Sequence, residues 1–232
     1  MEKETLIALY GEKPTVMQKL ICEINQLING SLPESIYKPY DPDQVHATLT
    51  GLESVVLDGK AVNKNILEKK GVKAVMDFSD VKDIVKNYFP MVIRFGGFSA
   101  GDSPFLSRAA RPYERSFQLN TPTNQAVLMG WPHTKMDFSQ HRLLNLRREL
   151  EQRCNIGHKY DEDNDFYLVL GRLEGRSKNF PEPELRQLEN TIRDYLFKNP
   201  VDIKINSLMR VHYIDSRLPV QSTEILENIQ FK

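Results

Sequence analysis

Apolar and polar positions along the chain follow two rhythms. Short, nearly unbroken apolar runs predict buried strands at 5–10, 90–98, 125–131 and 165–173, and a last strand, with alternating polar residues, runs from about 201 to 214. Between them, apolar residues recur every three to four positions, the spacing of one helix face. Val16, Leu20, Ile24 and Leu27 follow Lys13-Pro14-Thr15 and stop at Asn29-Gly30. Val81, Val85 and Tyr88 follow Ser79, which reads as an N-cap. Phe138, Leu143, Leu146, Leu150 and Cys154 follow a capping Asp137. Leu185, Leu188, Ile192 and Leu196 lie between Pro181 and Pro200. Residues 53–76 carry a weaker pattern, with a hairpin suggested at Asp58-Gly59 and a helical turn at 65–70. Residues 99–124, rich in Ser, Pro, Arg and Asn, read as a loop of a length that favours binding or mobility.

The order of elements repeats. Each half reads strand, helix, strand, helix, strand. Gly11 precedes His46 by about 35 residues, and Gly130 precedes Tyr167 by about 37. The expectation is a single bilobal domain, with lobe one at about 1–98, a loop at about 99–124 and lobe two at about 125–232. Equivalent central strands would meet at a pseudo-twofold axis, each lobe contributing to a site there.

Composition narrows the class without naming it. The chain has 232 residues, 40% of them hydrophobic, enough for a substantial core. Basic and acidic residues balance at 31 each, so overall charge gives no argument for a nucleic-acid or membrane partner and leaves a local basic cleft open. Cys22 and Cys154 stand far apart and form no disulfide or metal framework. No apolar run approaches a membrane span and no leader pattern opens the chain. A cytoplasmic, monomeric protein is expected.

The stretch Val45-His46-Ala47-Thr48-Leu49-Thr50-Gly51 reads as a short strand. Residues i and i+2 share a face, so His46 and Thr48 present an imidazole and a hydroxyl side by side. That pair suits holding a phosphoryl group and moving one proton. His46-Ala47-Thr48-Leu49 resembles the first motif of the two-histidine (2H) phosphoesterases, which include 2′-5′ RNA ligase-like proteins and cyclic phosphodiesterases. Their second motif reads His-x-Thr-Leu-x-Arg. The corresponding stretch here is Tyr167-Leu168-Val169-Leu170-Gly171-Arg172, which keeps the Leu and Arg and departs at both chemical positions. Arg94-Phe95-Gly96-Gly97-Phe98, Leu128-Met129-Gly130-Trp131 and Tyr213-Ile214-Asp215-Ser216-Arg217-Leu218 resemble family segments in the same order.

The resemblance implies an α+β fold: two pseudo-symmetric lobes with antiparallel sheets around a central cleft, helices outside. It implies metal-independent, cofactor-free chemistry on a nucleotide or RNA phosphodiester: an RNA end, a 2′,3′-cyclic phosphate, or a cyclic or 2′-5′-linked oligonucleotide. Within it, His46 is the general base or acid, Thr48 the phosphate anchor and Tyr167 the substituted partner. A tyrosine has a reference pKa near 10 and is a poor base at neutral pH. Val169 has no hydroxyl to offer the phosphate.

Further candidates carry two readings each. Arg94 and Arg172 are phosphate clamps or internal ion-pair partners. Tyr10 and Trp131 stack a base or pack in the core. His212 is a second candidate acid or a half-exposed strand histidine. Three functions stay open: binding without turnover, a phosphoesterase whose acid comes from Tyr167 or His212, and a structural or protein-interaction module on the same fold.

Overall fold

Ten strands form one antiparallel sheet in the computed structural model, which describes residues 3–33, 35–120, 122–160, 162–174 and 181–231. The chain runs β1 (Glu4–Ala8), α1 (Thr15–Ser31), β2 (Tyr37–Pro39), β3 (Ala47–Gly51), β4 (Ser54–Leu57), β5 (Lys60–Asn63), α2 (Lys64–Lys70), α3 (Val81–Tyr88) and β6 (Met91–Phe95). It continues with α4 (Pro112–Ser116), β7 (Phe117–Asn120), β8 (Gln125–His133), α5 (Arg142–Cys154), β9 (Phe166–Leu173), α6 (Glu182–Lys198), β10 (Val201–Ile205), β11 (Ser207–Tyr213) and β12 (Thr223–Gln230). The fold class is α+β, as expected.

The sheet order is β10-β6-β8-β9-β3-β1-β11-β12, with β2 added on β9 and β7 on β8. Along that main order four strands lie on each side of the β9–β3 seam, and β2 and β7 make the β9 side six. The sheet halves are not the sequence halves 1–98 and 125–232. Strand β6 pairs with β8, on the second side, and β11 pairs with β1, on the first. The stretch 201–214 is two strands, not one. It breaks at Asn206 and crosses from one half of the sheet to the other.

Helices α1, α3, α5 and α6 bury their apolar stripes against one face of the sheet, in one continuous core. In α6 the buried residues are Leu185, Leu188, Ile192 and Leu196, the stripe that the spacing predicts. Burying each such side chain contributes roughly 1.5–3 kcal/mol. In α1 the buried stripe is Met17, Leu20, Ile21, Ile24 and Ile28, while Val16 faces solvent. Two neighbouring stripes of α1 are apolar, and the helix turns the richer one inward.

The weakly patterned segments are ordered by local chemistry. Asp58 (φ 51°) and Gly59 (φ 74°) make the two-residue turn of the β4–β5 hairpin. Asn63 caps α2, its Oδ1 accepting from the Ile66 N–H at 3.0 Å. The start of α5 is capped from afar: Asn164 Oδ1 accepts from the backbone N–H groups of Leu143 and Leu144, in place of Asp137. Residues 99–124 are not a free loop. They form α4 and β7, and the Arg-rich part is used internally. Arg108 pairs with Asp163, Arg111 bonds the Ala100 carbonyl, and Arg115 pairs with Asp165. Among the described residues, no helix is long and apolar enough to cross a membrane.

Candidate functional site

The face of the sheet opposite the helices carries two small apolar clusters, one per lobe. Ile7, Tyr10, Val211, Tyr213 and Leu218 form the first. Phe98, Val127, Met129, Trp131 and Phe138 form the second, with Tyr167 packed against it. The seam lies between them. There Ala47 on β3 pairs with Leu168 on β9, and both side chains point into the helix-side core. Alternation then sends His46, Thr48, Tyr167 and Val169 to the open face. The register sets His46 opposite Val169 and Thr48 opposite Tyr167. His46 and residue 167 therefore stand on a diagonal, typically about 7–8 Å apart. All four side chains are half-buried.

His46 precedes the first residue of β3 and is held from behind. Its Nδ1 lies 2.8 Å from the Gln44 carbonyl oxygen, so Nδ1 carries the proton and Nε2 keeps its lone pair. Tyr10 meets the imidazole edge-on at 6.1 Å. Burial pushes the His46 pKa down to about 4; the Gln44 contact opposes this, and nearby Lys13 adds to it. At neutral pH His46 is an uncharged acceptor. The Thr48 hydroxyl has no hydrogen-bond partner among the described residues and faces the open side.

The depressed pKa predicts a pH dependence. The unfolded histidine titrates near 6.5 and the folded one near 4. Between these values the unfolded chain binds more protons, so stability falls as pH drops from 6.5 towards 4. The slope from this group approaches 1.4 kcal/mol per pH unit. Urea unfolding across this window should show a smaller loss for His46→Gln. A titration of the His46 ring signals by NMR with its midpoint near 6.5 would contradict the burial.

The second half of the site is closed. The Tyr167 hydroxyl donates to Gln125 Oε1 at 2.8 Å, and the Thr123 hydroxyl donates to the same oxygen at 3.1 Å. Burial pushes the Tyr167 pKa up to about 12. The phenol is thus a spent donor at neutral pH, which argues against Tyr167 as the missing acid. A β-bulge opposite Ala126 and Val127 turns Arg172 onto the same face as Val169. Its guanidinium makes no hydrogen bond or ion pair among the described residues, and it lies within electrostatic reach of Tyr40 and Asp215.

The other candidates sit elsewhere or are occupied. Arg94 is two strands from β9 and pairs with Asp202 at 2.9 Å, so it is an internal ion-pair partner. Trp131 is buried, and its indole N–H donates to Asp165 Oδ1 at 2.7 Å; it packs and does not stack on a ligand. Tyr10 is buried with its hydroxyl donating to the Leu218 carbonyl at 3.1 Å, so it walls the site behind His46. His212 pairs in register with Glu4 and Glu224, on the face opposite Val211 and Tyr213. It therefore points away from His46 and does not serve as its acid. A concavity lined by Phe105, Arg108, Trp131, Phe138 and Asp163 does not include His46.

Two residues that the sequence reading passes over matter here. Lys13 follows the Gly11 turn and lies within electrostatic reach of His46. Arg147 on α5 reaches the seam itself, where its Nε donates to the Leu49 carbonyl of β3 at 2.9 Å. Neither stands in a recognisable motif; the β1–α1 turn and the packing of α5 bring them in.

No family model and no curated protein matches the chain. Solved structures do match it. One is E. coli LigT complexed with 3′-AMP, at 10% identity and TM-score 0.46, covering 100% of this chain and 98% of that one. Another is TT0787 of Thermus thermophilus, at 13% identity and TM-score 0.44, covering 99% and 97%. A third, described as a phosphoesterase, has 10% identity and TM-score 0.46, covering 100% and 99%. Each of these alignments spans nearly the whole of this chain, at 10–13% identity.

Proposed function

We propose that this protein binds a phosphodiester of a nucleotide or RNA end at the His46–Thr48 half-site and does not turn it over. One observation carries this reading: half of the paired site is open and the other half is closed. Among the described residues, His46 Nε2 and the Thr48 hydroxyl are free to meet a ligand, and Arg172 stands unpaired on the same face. Opening a cyclic phosphate needs a base for water and an acid for the leaving ribose oxygen. It also needs donors for the charge that builds on the phosphate. His46 can take a proton. Tyr167, bonded to Gln125, gives none, and Val169 donates nothing.

Calorimetric titration with 2′,3′-cyclic AMP, with product analysis of the same samples, tests this. The expected result is binding without ring opening, weakened about tenfold or more by His46→Ala, the scale of one hydrogen bond to a charged group. Product formation that depends on His46 would make the protein an enzyme. Absence of binding in the wild type would leave a structural or interaction module.

A further inference from the structure

Lys13 is 4% exposed, yet its ammonium has one polar contact among the described residues, the Gly11 carbonyl at 2.9 Å. Among the described residues no carboxylate lies within ion-pair distance; Asp41 and Asp43 act on it only from further off. An ammonium has three donors, and burying it without a counter-ion is costly. The position is nonetheless built. Gly11, at φ 74°, donates its N–H to the Asp43 carbonyl at 2.9 Å, tying the β1–α1 turn to the loop that leads into His46. Gln18 Nε2 donates to the Lys13 carbonyl at 2.9 Å and fixes the backbone from the other side. A buried cation with spare donors is held within electrostatic reach of a neutral imidazole whose Nε2 has no partner among the described residues.

We propose that Lys13 is the anionic-ligand anchor of this site: its ammonium supplies the positive charge for a phosphodiester held by His46 and Thr48. The inference rests on the phosphate-binding reading above and adds the residue that makes the half-site sufficient. In a paired site a second histidine would share the phosphate charge. Here residue 167 contributes no cation, and Lys13, on the first lobe, takes that part. The bound phosphate completes the hydrogen bonding that the ammonium lacks in the free protein.

The test uses Lys13→Met, which keeps the length and apolar stem and removes the charge. A ligand anchor held at a cost to the fold predicts a Tm for the variant at or above that of the wild type. It also predicts binding of 2′,3′-cyclic AMP weakened about ten- to a hundredfold, and loss of any stabilisation by inorganic phosphate. Adenosine, which has no phosphate, should distinguish the two proteins little. A lowered Tm with unchanged cyclic-nucleotide and phosphate responses would show a structural lysine and overturn the proposal. The two readings fail separately. If His46→Ala weakens cyclic-nucleotide binding and Lys13→Met does not, only the anchor is lost. If the wild type ignores the cyclic nucleotide but phosphate stabilises it through Lys13, the anchor holds for a different phosphate ligand. If neither probe has an effect on the wild type, both readings fall.

Discussion

Arg147→Met is expected to lower unfolding stability by about 3–5 kcal/mol, the scale for removing one partner of a buried ion pair. Strands β3 and β9 share one paired position, Ala47 with Leu168, and the ladder does not continue beyond it. Arg147 replaces the missing rungs. Its Nε bonds the Leu49 carbonyl on the β3 side at 2.9 Å. Nη1 and Nη2 bond the carbonyls of Asp163 and Asp165 ahead of β9, at 3.0 and 3.2 Å. Nη1 also meets the Asp163 carboxylate at 3.0 Å. Burial pulls the Arg147 pKa down while Asp163 and Asp165 oppose it, and a guanidinium stays protonated throughout. The same two aspartates hold Arg108, Arg115, Ser107 and Trp131, so the stitch reaches from the 99–116 segment to the motif strand. Methionine fills the volume but leaves three backbone carbonyls without their partner. Arg147→Lys should rescue little, because one ammonium cannot span the fork. Urea unfolding measures this directly. A loss below about 1 kcal/mol would mean that water or backbone closes the seam without Arg147.

That stitch marks where sequence reading stops. The elements themselves are legible, because the α6 stripe and the β9 alternation are local facts of spacing. His46 and Thr48 are legible as a pair for the same reason, and the repeat finds Tyr167 and Val169 opposite them. The exchange of strands between lobes is not legible. The run 201–214 alternates apolar and polar residues on both sides of Asn206, and nothing in it says that Asn206 is a crossing point. Nor are the roles of Arg94, Trp131 and His212, since each depends on a partner distant in the chain: Asp202, Asp165 and Glu4. Lys13 and Arg147 are ordinary surface-type residues by sequence. Burial gives them their meaning, and it is set by a glycine turn in one case and by the gap in a β-ladder in the other.

Tyr167→His with Val169→Thr is expected to turn the half-site into a working one, with 2′,3′-cyclic AMP opened at least a hundredfold faster than by the wild type. The register puts position 167 opposite Thr48 and position 169 opposite His46, so the two new side chains complete a set of two imidazoles and two hydroxyls on one face. A positioned general acid contributes about 10²–10⁴-fold, and a phosphate-oxygen donor about 10²–10³-fold. Neither single variant should reach the double variant, because the two groups act on one transition state. The histidine also releases Gln125, which the Tyr167 hydroxyl now occupies. The change carries a stability cost, since Tyr167 packs against the apolar cluster of the second lobe. Thermal unfolding must therefore accompany the rate assay. A folded double variant that binds the cyclic nucleotide and leaves it intact would separate the fold from the chemistry. It would mean that the seam holds residues 46 and 167 in the right register but not at a working distance, and that Lys13, on the first lobe, draws the phosphate away from the second.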